Sequence, residues 1–143
     1  MPLDPVLFAD TKAWLEKARI DLRGAEVDLA AQPPLVEDAL FHCQQAIEKL
    51  FKSFLTFHDH PFRKTHNLEE LGEACLKLDA TLKALVDEAV PLTEYAWAFR
   101  YPGDLPAPEL EEARSALTIA QGFFQAVLER LPAEVHSLFI SEK

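Results

Sequence analysis

Residues able to hold or transfer charge gather at two places in this 143-residue chain. The first is Gln44-Gln45 with Glu48-Lys49, inside FHCQQAIEKLFK. Gln44, Glu48 and Lys52 stand at i, i+4 and i+8, so they share one helix face, with Gln45 and Lys49 flanking it. The second is Arg100-Tyr101-Pro102, which closes TEYAWAFRYP. An arginine presents a planar fork of donors that matches a phosphate. Tyr95 and Tyr101 lie close to it in sequence. The Arg100 patch suits the holding of a phosphate, and a site is expected where the two patches meet. Plainer explanations stand beside that one. Glu48–Lys52 is a favourable helical pair, stabilising by about a few tenths of a kcal/mol on a solvated face. Arg100 in the last turn of a helix complements the helix dipole, and Pro102 stops the helix.

Other polar groups offer less. His58, Asp59 and His60 suggest a metal, but a structural zinc takes about four ligands and nothing nearby completes the set. No metal and no cofactor is expected. His42, beside Phe41, reads as a partly buried packing residue. Cys43 and Cys75 are the only cysteines, and neither belongs to a CxxC. Both fall on helical patterns and read as reduced core residues of a cytoplasmic protein.

The elements that must position these groups are helices. Asp4-Pro5 supplies an N-cap and a first-turn proline, and a stripe of Phe8, Thr11, Leu15, Ala18, Leu22, Ala25 and Leu29 runs to about Ala31. Pro34 opens a second helix along Val36, Leu40, Cys43, Ile47, Leu50, Phe54 and Phe57, closed by HDHPFRK. Asn67 and Glu70 have the spacing of a capping box at the start of a third. A fourth, capped by Asp79 or Thr81, places Leu82, Leu85, Ala89, Leu92 and Phe99 inward, and Pro91 must kink or divide it. A loop follows over 102–108, then a last long helix with Leu110, Ala113, Leu117, Ala120, Phe124, Val127 and Leu131.

Length, 49% hydrophobic residues and only 4 glycines suit one domain with a real core. No period-2 run is long enough for a strand. The expectation is all-α: an up-and-down antiparallel bundle of about five helices in one domain, 1–143, with its core over about 5–131 and a tail at 132–143. Phe41, Phe51, Phe123 and Trp97 lie beside or off the stripes. That apolar excess predicts a homodimer, with a broader monomer core as the plainer alternative. The net charge of −10 disfavours a sequence-independent nucleic-acid binder. No signal peptide and no membrane span is evident.

Three blocks, FHCQQAIEKLFKSFL, KTHNLEELG and LTEYAWAFRYPGDLP, in this order and spacing, resemble the HEPN domain, named for higher eukaryotes and prokaryotes nucleotide-binding. The resemblance extends over most of the chain. It implies a helical bundle, usually dimeric, often encoded beside a minimal nucleotidyltransferase as a toxin–antitoxin module. It marks Thr65, His66 and Asn67 as a structural motif anchoring the loop. Many members are metal-independent ribonucleases whose motif is an Arg followed, after four to six residues, by a His. Arg100 matches that Arg and is the one catalytic candidate, but the following positions hold Leu105, Pro106 and Ala107. Asp104 is one residue too close. Arg130 and His136 match the spacing only in the tail, interrupted by Pro132. The family's modifiable Tyr has no counterpart, since Ala107 or Pro108 stands there; Tyr101 is the alternative acceptor. The resemblance without its His implies a non-catalytic or weakly active nucleotide- or phosphate-binding protein, with Arg100, Tyr101, Tyr95, Gln45, Glu48 and Lys49 at the site. A ribonuclease toxin and a ligand-free structural dimer are the alternatives.

Overall fold

The second helix is the axis of the molecule. In the computed structural model, which describes residues 4–103 and 105–135, α2 (Val36–Phe57) packs against α1 (Pro5–Ala30), α3 (Leu68–Leu78) and α5 (Leu110–Glu129). A helix covered on several sides must be apolar on several sides. Ala39, Leu40, Cys43, Ala46, Ile47, Leu50, Phe51, Phe54 and Leu55 are all buried. The described residues are helical or connecting, as the period of the apolar residues predicts, and form an up-and-down helical bundle.

Local signals set the boundaries. Asp4 Oδ1 accepts from Val6 N–H at 2.8 Å, and Pro5 opens α1, so the N-terminal signal works as its chemistry dictates. Leu35 N–H donates to Asp28 O at 2.9 Å across the turn between α1 and α2, which begins at Val36 rather than at Pro34. Asn67 caps α3 by accepting from Glu69 and Glu70 N–H. The reciprocal half of the expected box does not form. Glu70 instead pairs with Arg63, and Asn67 N–H donates to Thr65 Oγ1 at 3.0 Å.

The fourth helical segment is divided at Pro91. A 3-10 turn at Ala80–Leu82 leads into α4 (Lys83–Ala89), and a 3-10 run follows over Val90–Ala96. It ends at Ala96. Arg100 therefore lies beyond the helix, in a turn where its N–H donates to Trp97 O at 3.1 Å. The helix-dipole explanation for Arg100 is overturned by this early end. Val135 is fully buried, so the core reaches past 131 into the segment expected as tail. His136 and Asp104 lie outside the described residues.

Phe51 and Phe123 meet edge to face at 4.8 Å, and both are fully buried within one chain. Two of the four aromatics taken as apolar excess are thus core. Cys43 and Cys75 are buried and free, and burial pushes both thiols up to about 12. No described helix is long and apolar enough to cross a membrane.

The packing of α3 on α4 depends on Gly72. A Cβ there would stand 2.6 Å from Val86 Cγ1, and valine is stiff at χ1. Gly72→Ala gains about 1 kcal/mol of helix propensity but incurs roughly 1–3 kcal/mol of overpacking. Urea denaturation is expected to show a net loss of roughly 1 kcal/mol. A variant more stable than the wild type would contradict the close approach.

Candidate functional site

The polar face of α2 is buried. Gln44 is 0%, Glu48 4% and Lys52 7% exposed, which overturns the reading of this face as a solvated surface. Glu48 is the node that makes burial tolerable. Its Oε1 accepts from His66 Nδ1 at 2.7 Å and from Gln44 Nε2 at 3.3 Å, and its Oε2 accepts from Lys52 Nζ at 3.0 Å. Gln44 Nε2 also donates to the His66 carbonyl at 3.2 Å, and Gln45 donates to Gln44 Oε1 at 2.7 Å. The Lys52 ammonium stands 5.4 Å from the Trp14 ring and 5.9 Å from the Phe62 ring, close enough for cation–π attraction. A charged pair survives in this interior because both carboxylate oxygens have donors and the ammonium has a counter-charge and two aromatic rings beside it.

His66 joins that node to a surface groove. Its Nδ1 carries the proton, since the Glu48 carboxylate only accepts. The rest of the ring is exposed in a groove of about 460 Å³ lined by Thr65, Asn67, Glu69, Thr93 and Trp97. Thr93 Oγ1 accepts from Leu68 N–H at 3.2 Å, tying the start of α3 to the 3-10 run. Thr65, His66 and Asn67 thus sit together as a cap and anchor for the loop ahead of α3.

Lys49 points the other way. Its Nζ is 2.5 Å from Asp21 Oδ2 on α1, and Asp21 Oδ1 lies 2.9 Å from His42 Nδ1. His42 Nε2 faces Asp38 Oδ2 at 3.3 Å, and Asp38 Oδ1 is 3.7 Å from an Arg100 Nη atom. The expected meeting of the two patches occurs only through this relay. Lys49 reaches Arg100 by way of Asp21, His42 and Asp38, whereas Glu48 and both glutamines belong to the opposite network. Asp28 lies beside Asp38. Burial first, and then its contact with Asp38, raise Asp28 to about 6, with His42 acting weakly against the shift.

The Arg100 guanidinium sits 3.8 Å above the Phe41 ring. This cation–π contact holds the group at the junction of two clefts. The larger, about 520 Å³, is lined by Leu35, Glu37, Asp38, Phe99, Arg100 and Pro108, among others. The smaller, about 330 Å³, adds Tyr101 and Pro102. Tyr101 is 80% exposed at its edge. Tyr95 lines neither cleft. Its hydroxyl donates to Glu112 on α5, its ring stacks on Phe99 at 6.1 Å, and burial followed by the Glu112 bond pushes its hydroxyl well above the usual phenol range. Tyr95 fastens the 3-10 run to α5. Arg130 is likewise a clamp, donating to Asp79 Oδ2, Thr81 Oγ1 and the Ala126 carbonyl.

The molecule is thus an all-helical bundle with a buried polar seam on its central helix and an arginine-bearing cleft beyond it. The HEPN domain matches residues 11–131, and the chain belongs to the HEPN domain family. No curated protein and no solved structure matches it significantly.

Asp21, Asp28 and Asp38 were not among the sequence candidates, and His42 is a polar link as well as the partly buried packing residue expected beside Phe41. A signal was present. Asp21 and Asp28 repeat at seven residues on the buried side of α1, and Asp38 and His42 stand at i, i+4.

Glu48→Ala leaves Lys52 buried without its counter-charge, and is expected to cost about 3–5 kcal/mol in chemical denaturation. Glu48→Gln, which keeps an acceptor, is expected to cost less. Losses under about 1 kcal/mol for the alanine variant would mean that this pair is solvated.

Proposed function

We propose that this HEPN protein binds a nucleotide or an RNA phosphate at the Arg100 cleft and lacks efficient ribonuclease activity. One observation carries the reading. Arg100 is held on Phe41 at the mouth of a cleft, while the positions that would supply a proton-transfer group after it are Leu105, Pro106 and Ala107. Positioned acids and bases contribute roughly 10²–10⁴-fold to such reactions. His66 does not replace the missing group at Arg100, because it lines neither Arg100 cleft. Within this reading Arg100 grips phosphate and Tyr101 stacks at the rim. Lys49 acts at a distance, through Asp21 and His42. Glu48 and Gln45 serve the fold, and Tyr95 positions Phe99.

The same proposal includes a second copy of this chain and a minimal nucleotidyltransferase as partners, in a toxin–antitoxin-type module. The support for a dimer is an exposed apolar line on α1, where Val6, Ile20 and Val27 fall on one seven-residue repeat and are 66%, 50% and 59% exposed. Trp97, 54% exposed, adds to the apolar surface.

Calorimetry with ATP and AMP tests the binding, and metal-free incubation with transfer and messenger RNA tests the chemistry. Saturable nucleotide binding that Arg100→Ala weakens by about tenfold or more is expected, since a charge-assisted phosphate contact is lost. Little RNA cleavage is expected. Robust cleavage by the wild type would overturn the non-catalytic reading, and nucleotide binding unchanged in Arg100→Ala would overturn the site.

A further inference from the structure

Three acceptor atoms converge between α1 and α2, away from the Glu48 node. Asp28, Asp38 and His42 each offer one ligand atom, and these atoms lie within 4.8 Å of one another. His42 Nδ1 is engaged by Asp21 Oδ1 at 2.9 Å, which directs Nε2 toward Asp38 Oδ2 at 3.3 Å. Asp28 is 7% exposed, no N–H group donates to its buried Oδ2, and its side chain is bonded instead to the Asp38 carboxyl. A buried carboxylate oxygen without a donor is costly, and here it sits beside a second carboxylate.

One of the three spacings already fits a cation, and the three ligand atoms all lie within 4.8 Å of one another, so the half-exposed Asp38 carboxylate closes the rest. A tetrahedral ion with ligand bonds of about 2.0–2.1 Å has edges of about 3.3–3.4 Å. The Nε2–Oδ2 separation of 3.3 Å already equals such an edge. The surroundings have the form of a metal site as well. A carboxylate on the far nitrogen of a ligand histidine fixes its tautomer and orientation, and Asp21 does this for His42. Lys49 balances Asp21 at 2.5 Å, and Arg100 faces the other oxygen of Asp38 at 3.7 Å. Gly24 completes the seat. A Cβ there would lie 3.1–3.2 Å from the His42 ring, so the ring rests directly on the α1 backbone. A mid-helix glycine otherwise costs about 1 kcal/mol against alanine.

We propose that Asp28, Asp38 and His42 form a binding site for one divalent transition-metal ion of the zinc type, held by His42 Nε2 and one oxygen from each aspartate. This departs from the absence of metal expected from sequence, where only His58, Asp59 and His60 drew attention. An imidazole ligand selects such an ion over magnesium or calcium, which prefer all-oxygen shells. The site adjoins the larger Arg100 cleft through Asp38, and a bound dication there offsets the negative charge that Glu37 and Asp38 bring to that cleft. Metal binding itself does not depend on whether the cleft takes a nucleotide.

The test uses the full chain, stripped with chelator and titrated with zinc chloride alone against a chromogenic indicator. One equivalent is expected to bind at micromolar affinity or tighter, with no competition from magnesium or calcium. Asp28→Asn removes a ligand charge at constant volume and is expected to weaken binding by about tenfold or more, as is His42→Gln. His60→Gln is expected to bind as the wild type. Cobalt substitution should give d–d absorption of tetrahedral intensity that Asp28→Asn abolishes. Circular dichroism checks folding, and Asp28→Asn decides alone if His42→Gln does not fold. Absence of stoichiometric binding would overturn the site. So would zinc binding unchanged in Asp28→Asn, which would place the ion on surface histidines.

Discussion

A carboxylate inside a protein needs donors for its lone pairs, and two such carboxylates organise this molecule. Glu48 on α2 gathers Lys52, His66 and Gln44. Asp21 on α1 gathers His42 and Lys49 from α2. The first joins the central helix to the loop ahead of α3, and the second joins it to α1. Apolar burial supplies most of the driving force for the bundle but is non-directional. Hydrogen-bonded charges are directional, and here they set how the neighbouring segments sit against α2.

The two nodes also divide the surface. On one side, Glu48 presents the His66 ring to a groove with Trp97. On the other, the chain of contacts from Asp21 through His42 and Asp38 ends at Arg100, which is propped on Phe41. The 97–103 segment separates the two, fastened through Phe99 and Tyr95 to α5. The Arg100 cleft presents a guanidinium, two acids and an apolar wall, and Asp38 links it to Asp28 and His42.

Much of the fold was readable from spacing. The stripes on α1, α2 and α5, the Asp4 cap, and the break at Pro91 follow from periodicity and from what proline lacks. The polar face of α2 was not readable in the same way. Gln44, Glu48 and Lys52 at i, i+4, i+8 look identical whether water or another helix covers them, and only the packing of Trp14 and Phe62 over Lys52 decides it. The end of the fourth helical segment was misplaced for a similar reason. TEYAWAFR has helical composition, yet the run has already tightened to 3-10 after Pro91 and stops at Ala96. Family resemblance found Arg100 and His66 but not Asp21, Asp28 or Asp38, since acids on a helix ordinarily read as surface.

Glu48 and Asp21 each fix a histidine through its Nδ1. Long-range ¹H–¹⁵N correlation spectra of the imidazole nitrogens, recorded in alkaline chelator-containing buffer, test it directly. The structure predicts the Nδ1–H tautomer for both His66 and His42, with assignments from Glu48→Gln and Asp21→Asn. An Nε2–H tautomer at either ring would contradict the arrangement of that node.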